Sequence, residues 1–407
     1  MNTRTDIVIV GGGLAGPALA LCLARAGLSS SVVDAQPEAT MRDGGFDGRS
    51  YALALTAQRL LDAIGVWDQV EDNAQPILDI KVSDGHAGTG PSPFVLHFDH
   101  AEIEEGPMGY MVEDRYLRRA LLDAVAASPL IEVRNNARVV AQDIGSSVVV
   151  TLEDGSQIEA AVLVGADGGS SGTAMRAGVK YIGWPYGQTA LVCAIAHELP
   201  HQGIAQQMFM PEGPLAILPL TGNRSSIVWT ERSTRAEEIN ALPAEDYLQV
   251  LRPRFGGFLG DIELAGDRFT YPLRISVADS FVADRVALVG DAAHKVHPIA
   301  GQGLNAGFRD IAALAEVLAD ARRRGEDIGS ELVLGRYESW RRFDVQTLAF
   351  STNAFNRLFS NDNPLLRIGR DLGLGITNAL PSVRRTLMRE AAGLTGDVPR
   401  LMRGLPL

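Results

Sequence analysis

Short apolar runs that stop at a glycine or an aspartate recur along the chain. Ile7-Val8-Ile9-Val10 is a continuous run of the kind a buried parallel strand needs, and Gly11-Gly12-Gly13-Leu14-Ala15-Gly16 follows it directly. An Ala/Leu pattern then predicts a helix from about Pro17 to Ala26, stopped by Gly27. Ser31-Val32-Val33-Asp34 reads as a second strand with an acid at its end. The device returns twice: Ala161–Val164 runs into Gly165-Ala166-Asp167-Gly168, and Val286–Val289 runs into Gly290-Asp291, ahead of a long Ala/Leu-rich helix reaching about Arg324. Residues 181–274 read differently, as strands near 189–196, 206–210, 214–220, 225–230 and 267–274 joined by turns such as Thr221-Gly222-Asn223. The stretch 76–100, with Pro76, Pro91 and Pro93, reads as a loop-and-strand excursion, and 336–407 as helical. The pattern predicts an α/β protein. A discontinuous Rossmann-like nucleotide domain spans 1–75, 101–180 and 275–335, a β-rich substrate unit comes from 76–100 and 181–274, and a helical region closes the chain at 336–407.

Composition narrows the class. The 407 residues are 46% hydrophobic and 21% charged, so a sizeable packed core is expected and disorder is disfavoured. A net charge of −12 argues against nucleic acid as a partner. Two cysteines, Cys22 and Cys193, make neither a disulfide framework nor a zinc site, which sets a reducing cytoplasm as the expected compartment. The uncharged stretch Ile7–Ala24 imitates a signal or spanning segment, but the glycines and Pro17 near its middle read better as strand, turn and helix. Charge is uneven: residues 340–407 carry ten Arg against five acids.

The first glycine cluster fits G-x-G-x-x-G with its strand, its helix and an acid 18 residues after Gly16. Gly11 allows the tight turn, Gly13 lets backbone approach a pyrophosphate, and Gly16 lets helix pack on strand. The helix N-terminus offers free N–H groups to that anion, and Asp34 can accept from a ribose hydroxyl. Asp167 and Asp291 occupy equivalent strand ends, where ligands of open α/β sheets bind. The turn Gly301-Gln302-Gly303-Leu304-Asn305 supplies N–H groups at a further helix start. Taken singly, each acid is an ordinary turn or capping aspartate; together they point to one dinucleotide. His294 and His297 form only a His-x-x-His step, so no metal site is expected, and a structural or cofactor-lining role is favoured over general-base work.

These sites, with Asp47-Gly48-Arg49-Ser50-Tyr51-Ala52-Leu53, Glu212–Leu220 with Val228-Trp229, the stretch His297–Asn305, Phe359-Ser360 and Arg370–Leu374, resemble the para-hydroxybenzoate-hydroxylase-type FAD monooxygenases. Within that family the details resemble the ubiquinone-biosynthesis hydroxylases. One position departs from the pattern: Ala174 stands where the family carries an arginine three residues after Ser171, and Arg176 follows.

The resemblance implies FAD as cofactor and NADH or NADPH as a transient electron donor, with one oxygen atom of O2 delivered to an aromatic ring. It implies that Gly11, Gly13, Leu14, Ala15 and Gly16 meet the FAD pyrophosphate and Asp34 the adenosine ribose. Arg49 and Arg115 would contact ribose, phosphates or flavin; Gly290 and Asp291 the ribityl chain; Pro298 the isoalloxazine ring. Gly301, Gly303, Leu304 and Asn305 would face the pyrimidine end, and Asp167 would serve both FAD and the nicotinamide donor. No catalytic side chain is identified. Met208, Met210, Leu218 and Trp229 are candidates for an apolar substrate lining, with ordinary core packing as the competing reading. The expected substrate is an aromatic small molecule, a polyprenyl phenol in ubiquinone biosynthesis. A soluble phenol or aromatic acid, a non-oxygenating flavin reductase, and a flavin-binding accessory protein stay open as alternatives. The basic C-terminal region suits peripheral contact with the inner face of a membrane or with a protein of the ubiquinone pathway, as it equally suits a helical subdomain packed on the body.

Overall fold

A computed structural model of the chain describes residues 2–46, 48–86, 88, 90–297, 301–359, 373 and 375–407. At its centre lies a six-stranded sheet. Its spatial order is Val282–Ala283, Val286–Leu288, Val162–Gly165, Ile7–Val10, Ser30–Val33 and Ile131–Arg134, parallel except at the 282–283 edge. The apolar runs of the first and third nucleotide motifs thus become neighbours on either side of the second. Each is buried on both faces, which is why these strands are continuous in Val, Ile and Leu rather than alternating.

Helix Ala15–Arg25 covers one face together with the long helix Gln302–Arg323. The first helix begins two residues earlier than its sequence pattern suggests, because Pro17 falls in its first turn, where a missing N–H costs nothing. Helix Glu331–Phe359 packs beside the long helix, placing Tyr337 and Arg341 in the interior.

A nine-stranded sheet stands against this unit, built on Tyr181–His197, Ile204–Met210, Gly213–Leu220, Arg224–Arg232 and Phe269–Ala278. The hairpin Asp79–His86 and Gly90–Asp99 joins the same sheet, pairing in parallel with Ile204–Met210. Helices Ser233–Asn240 and Ala244–Phe255 cover the back of the sheet. A three-stranded sheet, Ser50–Ala54, Gly109–Glu113 and Gln75–Ile77, bridges the two units. Helix Pro381–Ala391 lies near the end of the chain. The calls on Asp47, Ser360 and the stretch from Arg370 to Leu372, with Leu374, lie outside the described residues.

Candidate functional site

Strand register assembles the site. Val10 pairs with Val33 on one side and with Gly165 on the other, and Gly165 pairs with Leu288. Four parallel strands therefore end level, so Gly11, Asp34, Ala166 and Val289 leave the sheet side by side at its carboxyl edge. That edge is where open α/β sheets bind ligands.

The glycine loop is shaped by close approach. Gly11 has φ +113°, and a Cβ there would lie 2.2 Å from the Ala166 carbonyl oxygen. A Cβ on Gly16 would lie 1.9 Å from the Gly11 carbonyl oxygen, which is the tight helix-on-strand packing expected of it. At Gly13 no protein atom stands within 4 Å of the Cβ position, so the backbone there is bare toward the space above the loop. Leu14, buried, precedes the helix and Ala15 opens it. Asp34 accepts from the Gly12 N–H at 2.6 Å and from the Gln36 N–H at 2.7 Å. A carboxylate has about four acceptor positions, so capacity for a hydroxyl is left.

The second acid behaves differently. Asp167 accepts from the Ser171 hydroxyl and, at 3.0 Å each, from the Thr173 N–H and hydroxyl, closing its own turn ahead of helix Gly172–Arg176. Arg176, the displaced arginine, donates to Gln142 at 3.2 Å. The third acid, Asp291, is exposed and takes no hydrogen bond or ion pair from any described residue. Its turn touches both other loops: a methyl group on Gly290 would meet Ala15 Cβ at 3.8 Å, and one on Gly169 would meet the Asp291 carbonyl at 3.7 Å.

The helix that starts at Gln302 is stapled to the bridging sheet. Asn305 accepts from the Ala54 N–H at 2.9 Å and donates to the carbonyls of Ala52 at 2.9 Å and Gly301 at 3.2 Å. Gly303 has open space at its Cβ position, and Leu304 is half-buried against the core. Pro298 lies outside the described residues. Arg49 pairs with Asp114 at 3.3 Å and Arg115 with Glu113 at 2.7 Å, both acids being buried on the bridging sheet and the helix that follows it. Arg115 also lies against the Tyr116 ring at 4.7 Å.

Three of the four apolar substrate candidates, Met208, Met210 and Trp229, pack in one core cluster, as the competing reading has it. Met208, Met210 and Trp229 face the back of the nine-stranded sheet, packed under helices Ser233–Asn240 and Ala244–Phe255 with Ile239, Tyr247 and Leu251. Trp229 is fully buried, donates to Glu231 at 3.1 Å and lies beneath the Arg254 guanidinium at 4.8 Å. Strand alternation puts Leu218 on the opposite, front face. That face also carries a small apolar cluster of Ala190, Val192 and Leu273 with Tyr186, Val228 and Phe269. The Phe269 ring lies over Gly48, where a Cβ would stand 2.1 Å from it, and Tyr186 meets His297 edge-on at 5.0 Å. The front face thus abuts Gly48, beside Arg49, and His297.

The two histidines separate. His294 bonds Asp310 at 2.6 Å, while neither ring nitrogen of the wholly buried His297 has a hydrogen-bond partner among the described residues. Burial pulls the His297 imidazole down to about 4. The Asp310 contact is a feature the sequence reading missed; its only trace is a charge in the apolar stripe of one helix and another, Arg341, in the next. The residues fit an extended dinucleotide: bare backbone at Gly13, a positioned acid at Asp34, and an unengaged acid at Asp291.

The profile of a family described as an FAD binding domain matches residues 4–349. The chain is 46% identical over 407 residues to the ubiquinone hydroxylase UbiL of Rhodospirillum rubrum, covering 99% of this chain and 93% of that protein. It is 34% identical to the 3-demethoxyubiquinol 3-hydroxylase of Escherichia coli, covering 97% of this chain and 100% of the relative. Among solved structures, the p-nitrophenol 4-monooxygenase PnpA of Pseudomonas putida superposes with a TM-score of 0.80 at 21% identity, over 98% of this chain and 100% of that one, a likeness of fold.

Proposed function

Because this chain belongs to the FAD binding domain family, we propose that it is an FAD-dependent monooxygenase that hydroxylates an aromatic ring, with a polyprenyl phenol of ubiquinone biosynthesis as substrate and NADH or NADPH as electron donor. The observation that carries the reading is the level ending of four parallel strands, which sets the glycine loop, Asp34 and the unengaged Asp291 along one edge. The near-full-length likeness to hydroxylases named for ubiquinone and demethoxyubiquinol supports the substrate class.

FAD, once reduced, supplies the activation of O2 that no amino-acid side chain can provide. The chain's own residues bind and enclose. Gly11–Gly16 and the start of helix Ala15–Arg25 receive the pyrophosphate, Asp34 the ribose and Asp291 the ribityl hydroxyls. The N–H groups of Gly303, Leu304 and Asn305, at the start of a helix, would receive the negatively charged end of the flavin. Arg49, Arg115 and the Asp167 turn would supply further contacts to the same cofactor. Val192, Val228, Leu273 and Phe269, with Leu218, form the front-face lining that receives the ring and keeps water away from it. On this reading 76–100 and 181–274 make the substrate-facing unit.

No described helix is long and apolar enough to cross a membrane. A prenylated substrate resides in lipid, so contact with the bilayer is made peripherally. Leu380, Val383 and Leu387 lie exposed at helical spacing on and beside helix Pro381–Ala391, among the arginine surplus of the C-terminal region. That pairing of apolar and basic residues suits an anionic lipid surface.

The test is the purified holoprotein with NADH or NADPH under 18O2, offered a short-chain prenyl phenol or a water-soluble phenol. Label in the prenylated product, with substrate-dependent nicotinamide oxidation, is the expected result. Nicotinamide oxidation without label in any product would make the chain a reductase instead.

A further inference from the structure

The turn Gly290-Asp291-Ala292 is gripped at both ends and left open in the middle. The Gly290 N–H donates to Asp310 Oδ2 at 3.0 Å, and the Tyr181 hydroxyl donates to the Ala292 carbonyl at 2.7 Å. Asp291, between them, has no partner among the described residues. Asp310 itself is wholly buried, just over two turns into the long helix, and does more than hold Gly290. The same Oδ2 meets His294 Nε2 at 2.6 Å, two residues beyond the turn, and Oδ1 accepts from Arg341 Nε at 2.8 Å. Arg341 continues to Asp344 at 2.6 Å. One helical turn before Arg341, the Tyr337 hydroxyl donates to the Leu288 carbonyl at 2.7 Å, on the strand that delivers the turn.

A carboxylate with no solvent contact is costly unless its lone pairs are filled by charged or directed donors. Here the donors come from three places along the backbone: the turn, His294 two residues beyond it, and the next helix. Such a network holds its members in a single arrangement, because any shift strands a buried charge. Core packing alone would be met more cheaply by apolar residues of the same volume. What the polar network adds is direction, and the group it directs is the backbone on either side of Asp291.

We propose that Asp310 is a positioning residue for the cofactor: with His294 and Arg341 it sets the 290–292 turn so that Asp291 is presented to FAD, and it thereby makes helix Glu331–Phe359 a structural part of the FAD site. Asp310 touches no ligand and acts through Asp291 and Gly290. The inference rests on the FAD reading above and deepens it.

The experiment measures the FAD dissociation constant of the full chain by flavin fluorescence after release and rebinding. It compares wild type, Asp310→Asn, Asp291→Asn and the double variant, with circular dichroism confirming the fold of each. Loss of a directed hydrogen bond to a charged group predicts weakening of about tenfold or more for Asp310→Asn. A role carried through Asp291 predicts that the double variant binds within about twofold of Asp291→Asn alone, since two changes in one pathway do not add. The bound flavin's visible circular dichroism should shift in Asp310→Asn as it does in Asp291→Asn. Should Asp310→Asn not fold, Arg341→Lys, which keeps the charge and removes the Nε donor, takes its place in the same cycle. Weakening under about threefold, or a double variant weakened by the product of the two singles, overturns the inference while leaving the FAD reading intact. A wild-type chain that holds no FAD overturns both.

Discussion

Gly13 and Gly16 sit three residues apart in one loop, yet a methyl group would meet quite different surroundings at each. At Gly16 it would stand 1.9 Å from a backbone carbonyl that has no room to retreat; at Gly13 it would meet no protein atom within 4 Å. Gly16→Ala should therefore lower folding stability by about 3 kcal/mol, the range of overpacked backbone contacts. Gly13→Ala should leave stability within about 0.5 kcal/mol of wild type and weaken FAD binding instead. Urea unfolding of the FAD-free protein beside FAD titration separates the two; equal losses of stability would refute the assignment of Gly13 to ligand approach. His297 supplies a second residue-scale expectation. Burial lowers its folded-state value to about 4, below the usual 6.5 of the unfolded chain. Between these values the unfolded chain takes up a proton that the folded one refuses. The contribution is thus complete above pH 6.5 and is lost as pH falls toward 4, by about 3 kcal/mol in all. In His297→Gln that part of the slope should vanish from stability measured between pH 7 and 4.5.

At the level of elements, what could be read from the chain and what could not divides along sequence distance. The strands that carry Gly11, Asp167 and Asp291 were legible because each is a local β-branched run ended by a turn residue, and burial on both faces leaves them no other pattern. The close backbone approaches at Gly11 and Gly16 follow from the spacing of the glycines. The face of the nine-stranded sheet was not legible. Alternation shows that Met208 and Met210 share a side, but which side meets the nucleotide unit is decided by helices Ser233–Asn240 and Ala244–Phe255 covering the other. Both faces carry large apolar side chains, Trp229 on the back and Phe269 and Tyr186 on the front, so size alone does not choose between them. The Asp310–Arg341 pair was hidden for the same reason: its partners lie on separate helices. Within either helix the charge reads only as an interruption of an apolar stripe. Asn305, placed correctly at a helix start, was read for its N–H, while its side-chain amide ties that start to strand Ser50–Ala54.

For the molecule as a whole, the uneven charge acquires a location. The acidic excess belongs to the body and the arginine surplus to the C-terminal region, where Leu380, Val383 and Leu387 stand exposed. If that surface meets lipid, the full chain should float with vesicles containing anionic phospholipid and less with neutral ones. Binding should weaken as salt rises, since the attraction is screened within about 10 Å at 0.1 M. Leu380→Ser with Leu387→Ser should reduce flotation severalfold while enzyme activity toward a water-soluble phenol persists. Flotation unchanged by charge, salt or these substitutions would exclude this surface as the contact.

The level ending of strands Ile7–Val10 and Val286–Leu288 bears on biosynthesis. A ribosome releases the glycine loop early, but its neighbours at the same edge emerge only after most of the polypeptide has been made, and Arg341 later still. If Asp291 completes the FAD site, flavin capture is a late event in the making of the chain. Yellow colour in a preparation then counts the molecules that were synthesised and folded to that point, and prematurely terminated products should stay colourless.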